Sequence, residues 1–146
     1  MRVTTAFSFA LVVAVLSAEP DPKTLRSFQW EKRIVVYQTG DSSLDKLEEL
    51  IESHSSGIED RDLIFLRLGD NTDIKFHEPL TQSEQNRIRE ELDFPESDKT
   101  LFLLIGKDGG IKDRQFESLR IKPWFDLIDT MPMRRQEMIR EGKRPQ

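Results

Sequence analysis

Cysteine is absent from this chain of 146 residues. A chain without thiols forms no disulfides, binds no iron–sulfur cluster, holds no zinc through cysteine and cannot act as a thiol catalyst. Histidine is almost as scarce, because His54 and His77 are the two histidines and no His-x-x-x-His spacing occurs. Zinc usually needs three or four closely organised ligands, so two separated histidines do not indicate a metal site. We therefore expect no metal and no cofactor.

Positive charge is in deficit, with 22 Lys+Arg against 27 Asp+Glu and a formal net charge of −5. Nucleic acid binding needs a basic face that neutralises phosphates, so nucleic acid is not an expected partner. Acidic residues cluster at Asp70-Asn71-Thr72-Asp73, but the calcium-loop pattern requires glycine at its sixth position, where Lys75 stands. That segment is interpreted as a turn.

An apolar run of the secretory type opens the chain. Arg2 precedes a stretch, residues 3–16, that is almost wholly apolar, and the small residues Ser17 and Ala18 then lead into a polar, proline-rich segment. This three-part pattern is typical of a signal peptide. The alternative, a membrane anchor, needs about 20 apolar residues, which is longer than this run.

The leader sets the predicted organisation of the chain. Residues 1–18 are predicted to be a signal peptide, cleaved after Ala18 or one residue earlier. Residues 19–146 then form a single domain that is exported to the periplasm or the extracellular space. No membrane span remains after cleavage.

Apolar runs and helix signals alternate along that domain. Thr81 with Glu84 forms a capping box, Gly57 is suited to a left-handed cap that ends the first helix, and Gly106–Gly110 reads as a hairpin turn. Predicted strands lie at 33–38, 62–68, 100–105 and 111–116, and predicted helices follow Ser42, Thr81, Pro123 and Pro132. A parallel pair joined by a helix, then an antiparallel hairpin and a terminal helix, is the order of an α/β thioredoxin-like fold with a central mixed sheet flanked by helices.

Four motifs carry a resemblance to a known family, over roughly residues 25–140. They are Trp30-Glu31-Lys32-Arg33, Asp60-Arg61-Asp62, Gly106-Lys107-Asp108-Gly109-Gly110-Ile111-Lys112 and Ile128-Asp129-Thr130-Met131-Pro132-Met133-Arg134-Arg135-Gln136-Glu137-Met138. On these motifs the chain resembles an uncharacterised exported thioredoxin-like domain. That domain stands alone in bacteria and also occurs within sushi-repeat-containing extracellular proteins of animals. The resemblance implies a thioredoxin-like fold and export, and it implies no established activity.

Thioredoxin chemistry is nevertheless excluded. Redox thioredoxins place Cys-x-x-Cys at the turn after the first strand, where the start of a helix lowers the thiol pKa. Here that turn reads Thr39-Gly40-Asp41-Ser42-Ser43 and holds no sulfur. The chain therefore cannot be a thiol oxidoreductase, and no catalytic residue is predicted.

Ligand or partner contacts are predicted at nine positions, namely Arg61, Asp62, Lys107, Asp108, Lys112, Met131, Met133, Arg134 and Arg135. Exposed methionines adapt to varied surfaces, and arginines fork onto carboxylates or phosphates. The alternative for the 131–135 stretch is a helix begun by Pro132, with the methionines packed on the sheet and the arginines solvated. If the arginine pair is structural, a carboxylate such as Asp129 or Glu137 is expected to be its counter-charge. Lys107 in a phosphate-binding loop is disfavoured, because such loops open a helix and this one joins two strands.

Two classes of function follow. The leading hypothesis is a binding module for an envelope or extracellular protein, since a thiol-free scaffold of this kind can still bind an extended segment by strand addition. A structural subunit of a larger complex differs from this only in permanence. The alternative is a non-thiol enzyme or an anion-binding protein that uses Asp, Arg and Lys groups such as Asp41, Arg61, Asp62 and Lys112.

Overall fold

The computed structural model describes residues 21–145 of the chain. The predicted signal peptide, residues 1–18, lies outside that range. Among the described residues, no helix is both long and apolar enough to cross a membrane.

A four-stranded mixed sheet forms the centre of the structure. Its strands are β1 (Arg33–Gln38), β2 (Leu63–Arg67), β3 (Leu101–Ile105) and β4 (Ile111–Phe116). The strand order is β2-β1-β3-β4, with β1 parallel to β2, antiparallel to β3, and β3 antiparallel to β4. Each strand lies within one residue of its predicted bounds, and the predicted parallel pair and hairpin are confirmed.

Within residues 21–145, five α-helices surround the sheet. They are α1 (Leu44–Ser53), α2 (Ser55–Asp60), α3 (Gln82–Leu92), α4 (Ile121–Thr130) and α5 (Pro132–Arg140), with short 3-10 turns at Leu25–Phe28 and Asp41–Ser43. The capping box of α3 is confirmed, because Thr81 Oγ1 accepts from the Glu84 amide at 3.3 Å and the Glu84 carboxylate accepts from the Thr81 amide at 2.8 Å. Pro132 is the first residue of α5, as predicted.

The prediction that Gly57 is a left-handed cap is wrong. Gly57 lies inside α2, and α1 ends earlier, with His54 as its C-terminal cap. A Cβ atom at Gly57 would lie 2.6 Å from Cε2 of Phe125 in α4. Glycine is therefore needed here for the close approach of two helices, and its backbone conformation is not the reason.

Hydrophobic residues fill both faces of the sheet. Alternate residues of a strand point to opposite faces, so a strand covered on both sides reads as a continuous apolar run. One face packs Val35, Phe65 and Leu104 against α1, α2 and α4, and the other packs Val36, Leu66 and Leu103 against α3 and the segment that contains Leu25. This arrangement places the start of β1 and the end of β3 together at one edge of the molecule.

Candidate functional site

The four motifs that carry the family resemblance meet at this edge. The Trp30 amide donates to the Lys107 carbonyl oxygen at 2.6 Å, and Lys107 Nζ donates to the Asp62 carboxylate at 2.8 Å. Lys107 also donates to Glu137 of α5, at 2.7 Å. Segments far apart in the sequence therefore form one cluster of charged side chains.

Glu137 lies at the centre of that cluster. Its carboxylate accepts hydrogen bonds from Arg33 Nη1 at 3.1 Å, from Arg33 Nη2 at 3.3 Å and from Lys107 Nζ. Burial by itself would raise the pKa of Glu137, but the hydrogen bonds from Lys107 and Arg33 outweigh burial and hold the pKa below its usual value. Glu137 is therefore ionised at neutral pH, and its carboxylate forms ion pairs with two buried cations, Arg33 and Lys107.

Arg134 extends the cluster along α5. Its side chain is 1% exposed, and its Nε lies 3.2 Å from Asp129 while Nη2 contacts Asp60. Asp129 also accepts from Arg61 Nη2 at 2.6 Å, so two guanidinium groups share one carboxylate. Arg135, the next residue, is exposed and pairs with no carboxylate within residues 21–145. The expectation of a solvated arginine is therefore wrong for Arg134, which is buried in ion pairs, one of them with the expected counter-charge Asp129.

A small cavity of about 70 Å³ opens beside Glu137. It is lined by Arg33, Gly106, Lys107, Asp108, Lys112 and residues 131–133. Five of the nine predicted contact residues, Lys107, Asp108, Lys112, Met131 and Met133, thus share one cavity. Arg61, Asp62 and Arg134 lie in the ion network behind it, and Arg135 belongs to neither.

Sequence reasoning missed three residues of this site: Arg33, Glu137 and Trp30. Arg33 carries a usable signal, because it begins a strand predicted to be buried on both faces, and a buried guanidinium requires a carboxylate partner. Glu137 was expected at most as a counter-charge for the arginines of α5, and nothing local to α5 indicates its pairing with Arg33 and Lys107. Trp30 is 61% exposed and has a φ of 70°, a conformation that its sequence context does not foretell for tryptophan.

The opposite end of the sheet holds a different feature. At the end of β1, an open polar groove of about 790 Å³ is lined by Gln38, Thr39, Gly40 and residues of α3 and of the segment before β3. Asp41, in the turn where redox thioredoxins carry their thiols, pairs with Arg67 Nη2 at 2.6 Å. Asp41 follows the end of β1, whereas Asp62 precedes the start of β2. Because β1 and β2 are parallel, the two residues lie at opposite ends of the pair, separated by the length of a strand, about 13 to 16 Å. The residues of the enzyme hypothesis therefore do not form one site.

Solved structures with this fold support the predicted architecture. The reduced 2-Cys peroxiredoxin of Plasmodium vivax has a TM-score of 0.55 and 12% identity, over 77% of this chain and 84% of that one. Thioredoxin peroxidase I of Plasmodium yoelii has a TM-score of 0.51 and 16% identity, over 82% of each chain. These similarities confirm a thioredoxin-like fold. A comparison with curated proteins gives no match. The model of one family matches residues 24–137, and the chain belongs to that family, which is described as Domain of unknown function (DUF4174).

Proposed function

We propose that this chain is an exported, redox-inactive thioredoxin-like domain that binds an envelope or extracellular protein. The thioredoxin-like fold and the absence of cysteine support the redox-inactive part. The apolar leader of residues 1–18 supports export. Binding is supported by the surface around the small cavity.

The exposure of Trp30 is the observation that carries the binding proposal. Its side chain is 61% exposed, and its amide donates to the carbonyl oxygen of Lys107, so an exposed indole is carried by a residue bonded to the cavity wall. A φ of 70° is unfavourable for a bulky residue, and such strain is concentrated at functional sites. Exposed tryptophans are also the residues most enriched among the strong contacts of protein interfaces.

Methionines extend the apolar surface from the cavity wall. Met133 is 36% exposed, and Met131 is half-buried between α4 and α5. Flexible, polarizable thioethers fit partner surfaces of varied shape. We define the rim as Met131 and Met133, which line the cavity, together with Trp30, whose amide is bonded to the cavity residue Lys107, and we propose that the partner protein contacts this rim.

Truncation of Trp30 tests the proposal against a matched control. Phe116 is 64% exposed and lies at the far end of β4, about 16 Å of strand from the hairpin. Chemical crosslinking of the tagged full chain in intact cells, followed by mass spectrometry, measures formation of a discrete partner adduct. We expect Trp30→Ala to reduce that adduct at least tenfold, as loss of a strong interface contact does, and Phe116→Ala to leave it unchanged. Equal adduct from both variants contradicts the proposal.

Trp30→Gly separates binding from folding. Glycine adopts a positive φ without a steric penalty, so this variant relieves backbone strain while it removes the indole. We expect a melting temperature that is at least as high as that of the parent chain, together with the same loss of adduct. Purification of the same partner with the chain in the absence of crosslinker would identify a permanent subunit.

Anion binding is a second candidate function, and one observation favours it. The cavity is lined by three cationic side chains, Arg33, Lys107 and Lys112, against one carboxylate, Asp108. An enzyme that uses Asp41 with Asp62 receives no such support, because the two residues lie at opposite ends of the sheet.

A further inference from the structure

We infer that the cavity beside Glu137 binds a carboxylate whose short apolar stem lies along Met131, Pro132 and Met133. The inference rests on the proposed function in one respect: the carboxylate is that of the bound protein, as an acidic side chain or a chain terminus. Unused hydrogen-bond donors, the charge around the cavity and the shape of the cavity all favour this ligand.

Two donors at the cavity lack partners among the residues that the structure describes. Arg33 is 1% exposed, and its Nε makes no hydrogen bond although both Nη atoms are paired. The Lys107 ammonium carries three N–H groups, and its hydrogen bonds within residues 21–145 are those to Asp62 and Glu137. A buried donor without an acceptor costs free energy, and an acceptor in this cavity, which Lys107 lines, would offer the ammonium a third partner.

The side chains joined by ion pairs around Glu137 carry one more positive charge than negative charges. Six cations and five carboxylates are joined by ion pairs, in a chain whose formal net charge is −5. They are Lys32, Arg33, Arg61, Lys107, Arg134 and Lys143 with Asp60, Asp62, Asp129, Glu137 and Glu141. One further carboxylate balances this network, whereas a doubly charged phosphate beside Glu137 would overcompensate it.

The shape of the cavity favours the same class of ligand. Its volume of about 70 Å³ corresponds to roughly two water molecules, at about 30 Å³ each, or to a carboxylate with an adjoining methylene. Met131, Pro132 and Met133 also line the cavity, and their side chains offer an apolar surface and no donor. A group that is anionic at one end and aliphatic at the other therefore fits both parts of the cavity.

Titration of the full mature chain with propionate tests the site directly. Amide chemical shifts of residues 106–112 are followed in two-dimensional NMR, with propionamide as the neutral isostere and sodium chloride at matched ionic strength. We expect saturable shifts with propionate alone. Equal shifts with propionamide, or none with propionate, overturn the inference, and the second result identifies a cavity that holds only water.

Lys112→Met removes one positive charge from the wall of the cavity and leaves the buried ion pairs of Glu137 intact. Lys112 pairs with Asp108 at 2.7 Å and makes no ion pair with Glu137, so the variant retains the central cluster. We expect at least a fivefold weaker affinity for propionate. Lys122→Met, which changes an exposed lysine on α4, is the matched control and should bind as the parent chain does. Equal affinity in both variants contradicts a role for the cavity's cations.

Peptide pairs identify the source of the carboxylate. Short peptides that differ as Glu against Gln, or as free against amidated C-terminus, are titrated in the same way. Tighter binding of the Glu peptide than of the Gln peptide, or of the free than of the amidated C-terminus, supports a carboxylate of the partner protein. Propionate binding with no preference in either pair supports the carboxylate site but overturns its protein source. Failure with every carboxylate, combined with a Trp30-dependent crosslink, rejects this inference and leaves the proposed function standing.

Discussion

Buried charge at individual positions determines how this corner of the molecule is assembled. Arg33 is the first residue of an otherwise apolar strand and is 1% exposed, and a guanidinium removed from water is stable only when carboxylates surround it. Glu137 supplies that charge from α5, and Lys107 joins the same carboxylate from the hairpin. Three elements distant in sequence are thus held together by one acidic side chain.

Arg134 and Arg135 offer a stability test on adjacent residues of one helix. Arg134 is buried against Asp60, Asp129 and Glu137, whereas Arg135 is exposed. Arg134→Ala removes a buried guanidinium and its hydrogen bonds to Asp60 and Asp129, although other cations still pair with both carboxylates, and we expect the free energy of unfolding to fall by about 1 to 3 kcal/mol. Arg135→Ala should change it by less than about 0.5 kcal/mol.

Urea denaturation of both variants measures the difference. The helix propensity of alanine exceeds that of arginine only slightly, so propensity alone predicts no gap between the two positions. A similar free energy of unfolding for both would refute the structural role of Arg134. A stable Arg134→Ala variant that loses the partner adduct would instead support the contact role predicted for this stretch.

At the scale of elements, the segment after β2 covers an edge of the sheet. The Phe65 amide donates to the Phe76 carbonyl at 2.9 Å, and the Glu78 amide donates to the Phe65 carbonyl at 3.1 Å. The His77 ring stacks on Phe65 with 5.4 Å between centroids, and its Nε2 lies 2.6 Å from the Tyr37 hydroxyl. The segment thereby protects the outer edge of β2, which would otherwise expose unpaired backbone groups.

His77 makes the attachment of this segment sensitive to pH. Burial lowers the pKa of His77, and the nearby charge of Arg67 adds to that effect. The unfolded chain protonates histidine near pH 6.5, while the folded chain does so only at lower pH. Stability is therefore complete above about pH 6.5 and falls as the pH decreases towards the folded pKa, by at most about 1.4 kcal/mol per pH unit.

Denaturation midpoints in urea between pH 7.5 and 5 measure this dependence. We expect His77→Gln to flatten the profile in that window, because the titrating group is gone. His54→Gln is the control, since His54 lies at the end of α1 and contacts Leu50 and Ser53, away from this segment. An unchanged slope in His77→Gln would assign the dependence to other groups.

For the whole molecule, local sequence patterns predicted the strands and helices but not the tertiary contacts between them. Apolar runs and the proline at the start of α5 located the strands and that helix, because those signals act within a few residues. The contact between Arg33 and Glu137 joins residues 104 positions apart. Gly57 was misinterpreted for the same reason: the ring of Phe125, distant in sequence, decides why glycine is required.

The two ends of the sheet differ in what they can do. The end at which redox thioredoxins carry thiols has Thr39, Gly40 and Asp41, with the Asp41 carboxylate engaged by Arg67. The other end gathers the ion network, the cavity and the exposed Trp30. The distinctive residues of this chain thus lie away from the position of thiol chemistry, which is why its site could not be deduced from the fold alone.

Export gives the final prediction, because it determines which partners the whole molecule can meet. A charged residue in the apolar part of a signal peptide opposes its insertion, so Val13→Arg should cause the full-length precursor to accumulate inside the cell. The unaltered chain should be recovered outside the cytoplasm with Ala18 or Glu19 as its first residue. N-terminal sequencing of native material checks the cleavage point, and cell fractionation checks the location. Recovery of the native protein with Met1 intact in the cytoplasm would contradict export and would remove envelope and extracellular proteins from the set of partners.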